Sequence, residues 1–181
     1  MAMVSMKNVN IYPTREEKIA IMRAVQDYLI NKALELKFTD SADKLVVRDL
    51  RPSDLDLGTE EWSFDLSGGT ANAYNVVVNN YEVPDNKLIV IYGIRLHGDS
   101  NTKIVRFWLG DTVLKAYWDI HALASFTDNE RKEVIVTSLE EAIEYRPNDK
   151  VKVEFLITAA GTEPVELMGY IVELKSGSEA V

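Results

Sequence analysis

Val83 to Leu109, VPDNKLIVIYGIRLHGDSNTKIVRFWL, decides how the rest of the chain is read. Leu88 to Leu96 is an almost unbroken apolar, β-branched and aromatic run, and Lys103 to Leu109 alternates cleanly between two faces. Together they predict the central hairpin of a β-sheet whose inner face is a protein core. This signal is architectural and carries no chemistry of its own.

Strand patterns continue on the C-terminal side. Gly110-Asp111 reads as a two-residue loop leading into Thr112-Val113-Leu114-Lys115, with glycine supplying a positive φ. Ile120 to Asn129 reads as a connection and Lys132 to Leu139 as a strand. Val151, Val153, Phe155 and Ile157 then alternate with Lys150, Lys152 and Glu154, a strand with one wet face. Ala159 to Pro164 turns the chain back into Val165 to Leu174, and residues 176–181 form a polar tail.

On the N-terminal side, Tyr74 to Val83, Trp62 to Leu66 and Leu45 to Val47 read as further strands, separated by the turn-formers Ser67-Gly68-Gly69 and Arg51-Pro52-Ser53-Asp54. Residues 1–12 read as an arm in which Val9, Ile11 and Tyr12 can pair along a sheet edge. One convincing helix opens at Thr14, whose spacing to Glu17 is that of a capping box, and ends near Lys37. Its apolar stripe comprises Ile21, Met22, Val25, Tyr28, Leu29, Ala33 and Leu36. That stripe fits a helix lying over the sheet. It also fits a self-association element, with Met22, Val25, Leu29 and Leu36 as candidate oligomer contacts, although Lys32 interrupts the heptad.

Eight or nine short strands with no helices repeating between them predict a mainly β fold, an antiparallel two-sheet β-sandwich of jelly-roll type with one N-terminal amphipathic helix. The expected organisation is an arm and helix over residues 1–43, a β-sandwich domain over 44–175 and the tail over 176–181. A doubly wound α/β fold would need crossover helices that the sequence does not offer.

Composition narrows the function. The 181 residues include no cysteine, which excludes disulfides, thiolate catalysis and cysteine-ligated metals. A net charge of −9, with basic residues interleaved among acids, opposes binding to nucleic acid. No apolar run approaches the ~20 residues of a membrane helix, and the start lacks the layout of a secretory signal. The default is therefore a soluble cytoplasmic protein, or an assembly made in the cytoplasm.

Chemistry is sparse. The titratable candidates near neutrality are His97 and His121. His97, Asp99 and Ser100 share one turn, where they cannot form the relay of a triad whose members converge from separate elements. The carboxylates Asp54, Asp56, Glu60 and Glu61 crowd one loop without the ligand spacing of a calcium loop, so a solvated acidic loop is the reading. Trp62, Tyr74, Tyr81, Trp108, Tyr117 and Trp118 are candidates to stack on sugar rings if they face solvent, and core residues if they do not. No catalytic residue, cofactor or metal site is expected.

The half of the chain from Tyr81 to Lys175 resembles the small jelly-roll virion proteins of tailed or tailless prokaryotic viruses. The resemblance lies in Val83-Pro84 with Asn86-Lys87 before the strand closing on Tyr92-Gly93-Ile94, and in Arg106-Phe107 with Leu109-Gly110. It continues through Ile143, Tyr145 and Pro147, then Ala159-Ala160-Gly161 before Gly169-Tyr170-Ile171-Val172-Glu173. It implies a capsid, decoration or spike component without enzyme activity, residing in the virion after assembly in the host cytoplasm. Its partners would be further copies of itself and other virion proteins, with neither nucleic acid nor a membrane span. The alternative class is a carbohydrate- or ligand-binding β-sandwich, for which a glycan is the partner.

Overall fold

The structure, a computed structural model, describes residues 9–10, 13–96, 100–120 and 132–178. Thr14 caps helix α1, Arg15–Glu35, by accepting the Glu17 amide at 3.1 Å, as its spacing to Glu17 predicts. Ile21, Val25, Leu29 and Ala33, each four residues from the next, form the buried stripe of α1. At the other end Lys37 turns to a φ of 60°, and the Phe38 amide donates back to the Ala33 carbonyl at 3.0 Å. The chain then enters the sheets.

Among the described residues there are twelve strands, one before the helix and eleven after it: β1 (Val9–Asn10), β2 (Leu45–Asp49), β3 (Phe64–Leu66), β4 (Ala73–Glu82), β5 (Leu88–Leu96), β6 (Thr102–Leu109), β7 (Val113–Asp119), β8 (Lys132–Val136), β9 (Ile143–Tyr145), β10 (Lys150–Ile157), β11 (Gly161–Glu163) and β12 (Val165–Leu174). One sheet, here called the covered sheet, has the order β1-β8-β5-β12-β2, with β9 also paired to β5. The second, the open sheet, has the order β4-β10-β6-β7, and β11 pairs separately with β3. Every pairing among the described residues is antiparallel, so the mainly β two-sheet expectation holds.

The expected hairpin does not form. β5 pairs with β12, β8 and β9, whereas β6 pairs with β10 and β7, so the two strands of the opening stretch sit in different sheets. The reason is burial. Every residue from Leu88 to Ile94 is buried, which requires cover on both faces of β5, and α1 lies against β5, β12 and β2 to supply it on one side. β6 alternates because it has cover on one face only, its Val105 and Phe107 pointing inward.

Between the sheets, Val151, Val153, Phe155 and Ile157 are fully buried, with Phe107 and Trp118 in an edge-to-face pair at 5.1 Å. The Tyr145 hydroxyl, on β9, reaches across to donate to the Trp108 carbonyl on β6 at 2.9 Å. Gly169 marks the closest approach within the covered sheet: a Cβ there would meet the Val90 carbonyl oxygen at 2.5 Å. Helix residues and residues of both sheets belong to one continuous core. Val9 pairs at a sheet edge, opposite Val136, while Ile11 and Tyr12 lie outside the described residues.

Candidate functional site

The face of the open sheet that turns away from the core is the candidate interaction surface. Because Val151, Val153, Phe155 and Ile157 point inward, Lys152, Glu154 and Leu156 must point out, and cross-strand register places their neighbours. One row across the strands reads Tyr74, Leu156, Ile104, Asp119; the next reads Val76, Glu154, Arg106, Tyr117. A third reads Lys152, Trp108, Leu114. The face is thus mostly apolar and aromatic, with charges confined to a few positions, the composition found at the centre of protein interfaces.

Its middle is built around Glu154, which is only 9% exposed. The Trp108 indole donates to Glu154 at 2.5 Å, and the Arg106 guanidinium pairs with it at 3.1 Å. The Arg106 guanidinium carbon also lies over the Tyr74 ring, 3.3 Å from its centre, and 5.4 Å from that of Trp108. The Lys152 ammonium lies 5.9 Å from the centre of the indole and is held by Asp111 at 3.0 Å. The carboxylate thereby fixes the rotamers of one arginine and one tryptophan, the two residue types most enriched at binding hot spots. Such a face presents rigid side chains that lose little freedom when a partner covers them.

A cleft of about 190 Å³ lies on the opposite side of the molecule, between α1 and the covered sheet, lined by Met22, Tyr92, Leu167 and Met168 and rimmed by Lys18, Arg95, Glu166 and Asp49. Arg95 bridges Glu133 at 2.7 Å and Glu166 at 2.5 Å, and Lys18 reaches Glu133 at 2.7 Å, so these charges satisfy one another. Burial works to raise the Glu133 carboxyl, but hydrogen bonds from Lys18 and Arg95 outweigh it and hold the group below its ordinary range. The network pins α1 to β5 and β8.

The candidate oligomer contacts are placed inside the chain. Val25 and Leu29 are fully buried beneath α1, while Met22 and Leu36 pack partly buried on the same core. A helix-to-helix contact through them would require α1 to leave the covered sheet. Among the sugar-stacking candidates, Trp118 is fully buried and Trp62 packs against Phe64 at 6.3 Å, with Tyr81 partly buried on the core. Tyr74, Trp108 and Tyr117 share the outward face of the open sheet.

Within the acidic loop, Asp54 takes a bidentate grip on Arg48 at 2.7 and 2.8 Å and accepts the Arg51 amide at 2.8 Å. It closes a fold contact there, with Arg48 also reaching Glu173 at 2.9 Å. Among the described residues no group of three or more histidines, aspartates or glutamates is placed to hold a metal ion. His97 and His121 lie outside the described residues.

Two features escape sequence reading. Glu163 is completely buried, accepting from the Ser100 hydroxyl at 2.6 Å, the Thr102 hydroxyl at 2.9 Å and the Asn101 amide at 2.9 Å. It ties β11 to the start of β6, and nothing in the local sequence marks that glutamate as interior. The Glu154 hub is hidden likewise, because it occupies a position that alternation assigns to solvent.

Among the described residues, no helix is long and apolar enough to cross a membrane. No protein-family model matches the chain, and no curated protein matches it.

Proposed function

We propose that the chain is a non-enzymatic virion structural protein, a capsid, decoration or spike component, acting through protein–protein contacts in a symmetric assembly built in the host cytoplasm. The observation that carries this reading is the nesting of the strands. β2 pairs with β12, β4 with β10, β5 with β8 and β6 with β7, nested pairs from the outside of the sequence inward, which we read as jelly-roll order. The outward face, with its fixed Arg106 and Trp108, supports contact as the mode of action, and large side chains such as Phe107, Trp118 and Phe155 pack into the space between the sheets.

The decisive measurement is the mass of the full chain in solution. A defined oligomer supports the reading, and a monomer at every concentration counts against it. The informative truncation removes residues 1–12, which carry β1 and its pairing to β8. Removing residues 1–37 would also strip α1 from the core and test folding instead.

The second reading is a glycan-binding module, favoured by Tyr74, Trp108 and Tyr117 on one outward face. Retention on a glycan array that falls with Trp108→Ala would select it over the first.

A further inference from the structure

The cleft beside α1 joins an unpaired carboxylate to an aromatic and thioether lining. β12 sets Met168 opposite Gly93 and Gly169 opposite Ile91, so Tyr92, between the two β5 positions, is an inserted residue with no partner across that ladder. Bulges of this kind re-aim a side chain and recur beside functional sites. Here the tyrosine lines the cleft while only 4% exposed, its ring stacked on that of Tyr170 at 5.6 Å. Met22 from α1 and Met168 from β12 line the same space, two flexible side chains that adapt to the shape of an apolar guest. The volume of about 190 Å³ admits a group of several heavy atoms.

The charges choose the guest. Lys18 is engaged by Glu133, and Arg95 by Glu133 and Glu166. Asp49, the remaining charged residue of the lining, is exposed and forms no ion pair with any described residue. Its field reaches the tyrosines: burial first, and then the Asp49 carboxylate, push the pKa of the Tyr170 hydroxyl up, and burial, Tyr170 and Asp49 together raise that of Tyr92. A field that opposes a phenolate favours a cation in the same place. An aromatic ring near a carboxylate suits an ammonium group in particular. The net charge of −9 draws cations toward the molecule as a whole.

We propose that this cleft binds a primary ammonium group carried on a short aliphatic stem, the ammonium paired with Asp49 and the stem lying against Tyr92, Met22 and Met168. A free alkylamine and the side chain of a lysine share that chemistry. The cleft lies on the opposite side of the molecule from the outward face of the open sheet, so the site is additional to any contact made there and stands or falls independently of the assembly reading.

Titration of the full chain with n-pentylamine, followed by amide NMR shifts at constant pH and ionic strength, tests it. Saturable shifts are expected at Leu50, Leu167 and Gly169, which line the cleft. The neutral analogue n-pentanol should bind more than about tenfold more weakly, and Asp49→Asn should weaken the amine by a similar factor. Glu60→Gln, which removes an exposed carboxylate outside the lining, should leave the affinity unchanged. The same spectra verify that each variant folds. Should Asp49→Asn fail to fold, Met22→Lys decides, because the chain's own ammonium then occupies the cleft and should block the amine. Nα-acetyl-lysine methylamide separates the two sources: binding as tight as that of pentylamine assigns the site to a lysine side chain, and weaker binding assigns it to a free amine. Absence of saturable shifts, equal binding of pentanol, or an amine indifferent to Asp49→Asn overturns the site.

Discussion

The covered and open sheets are made of similar residues but face different surroundings. In the covered sheet, β5 and β12 are buried along nearly their whole length because α1 closes one face and the open sheet the other. In the open sheet, β6 and β10 bury alternate residues, and the remainder look outward with no layer of the described residues over them. The difference divides the labour: one sheet holds the molecule together, and the other is left free to touch something else. Charges follow the same division. Around the covered sheet they form networks that clamp elements to one another, as in Lys18–Glu133–Arg95–Glu166. On the open face, Glu154 instead holds Arg106 and Trp108 ready at the surface.

The harshest way to break this division is to put a charge under the helix. Leu29→Asp buries an unpaired carboxylate at a site with no exposure, and loss of cooperative unfolding in a thermal melt is the expected outcome. A matched pair of truncations sharpens it next. Ile91→Ala, on β5, should cost about 2–5 kcal/mol in denaturant unfolding. Ile104→Ala, on the outward face of β6, should cost less than about 1 kcal/mol. Equal costs would mean that the outward face is not open.

Acid provides a third comparison. Burial works to raise the Asp54 carboxyl, yet hydrogen bonds from the Arg48 guanidinium and the Arg51 amide hold it below its ordinary value, and Glu133 is depressed in the same manner. Groups whose pKa is lowered by folding stabilise the folded state above their unfolded values and lose that contribution as pH falls through the folded ones. Stability should therefore drop below about pH 4. Asp54→Asn and Glu133→Gln should start less stable at neutral pH and show a flatter acid limb.

A last test lies where α1 meets β9. The Tyr28 hydroxyl donates to Glu144, and burial together with that bond pushes its pKa up to about 12. Tyr28→Phe should cost about 1–3 kcal/mol, read from the shift in denaturant midpoint. In the wild-type chain, ultraviolet titration should find Tyr28 still protonated at pH 11 together with Tyr92 and Tyr145, whose hydroxyls burial also pushes up, and Tyr28→Phe should lower that count by one.

Much of this fold is legible from local pattern. The Thr14 cap, the α1 stripe, the alternation of β10 and the unbroken run of β5 all report each segment's own burial, and burial is written locally. Pairing is not. Val83 to Leu109 looks like a hairpin because adjacent strands usually pair, and only the covering of β5 on both faces sends β6 to the other sheet. The helix stripe carried the same ambiguity: period 3.6 says that Val25 and Leu29 are buried, not whether a sheet or a second copy buries them. The outward face was legible only as a roster of aromatics, since register decides that Tyr74 and Trp108 look out while Trp118 looks in.

The pairing of Leu45 with Leu174 has a consequence for how the chain is made. β12 occupies the place between β5 and β2, so a ribosome must translate past residue 174 before either neighbour can close its ladder there. Until then the apolar length of β5 and the underside of α1 are exposed together on the nascent polypeptide, with long loops still to be closed. Translation speed and chaperone supply, rather than final stability, should then govern how much native protein a cell recovers.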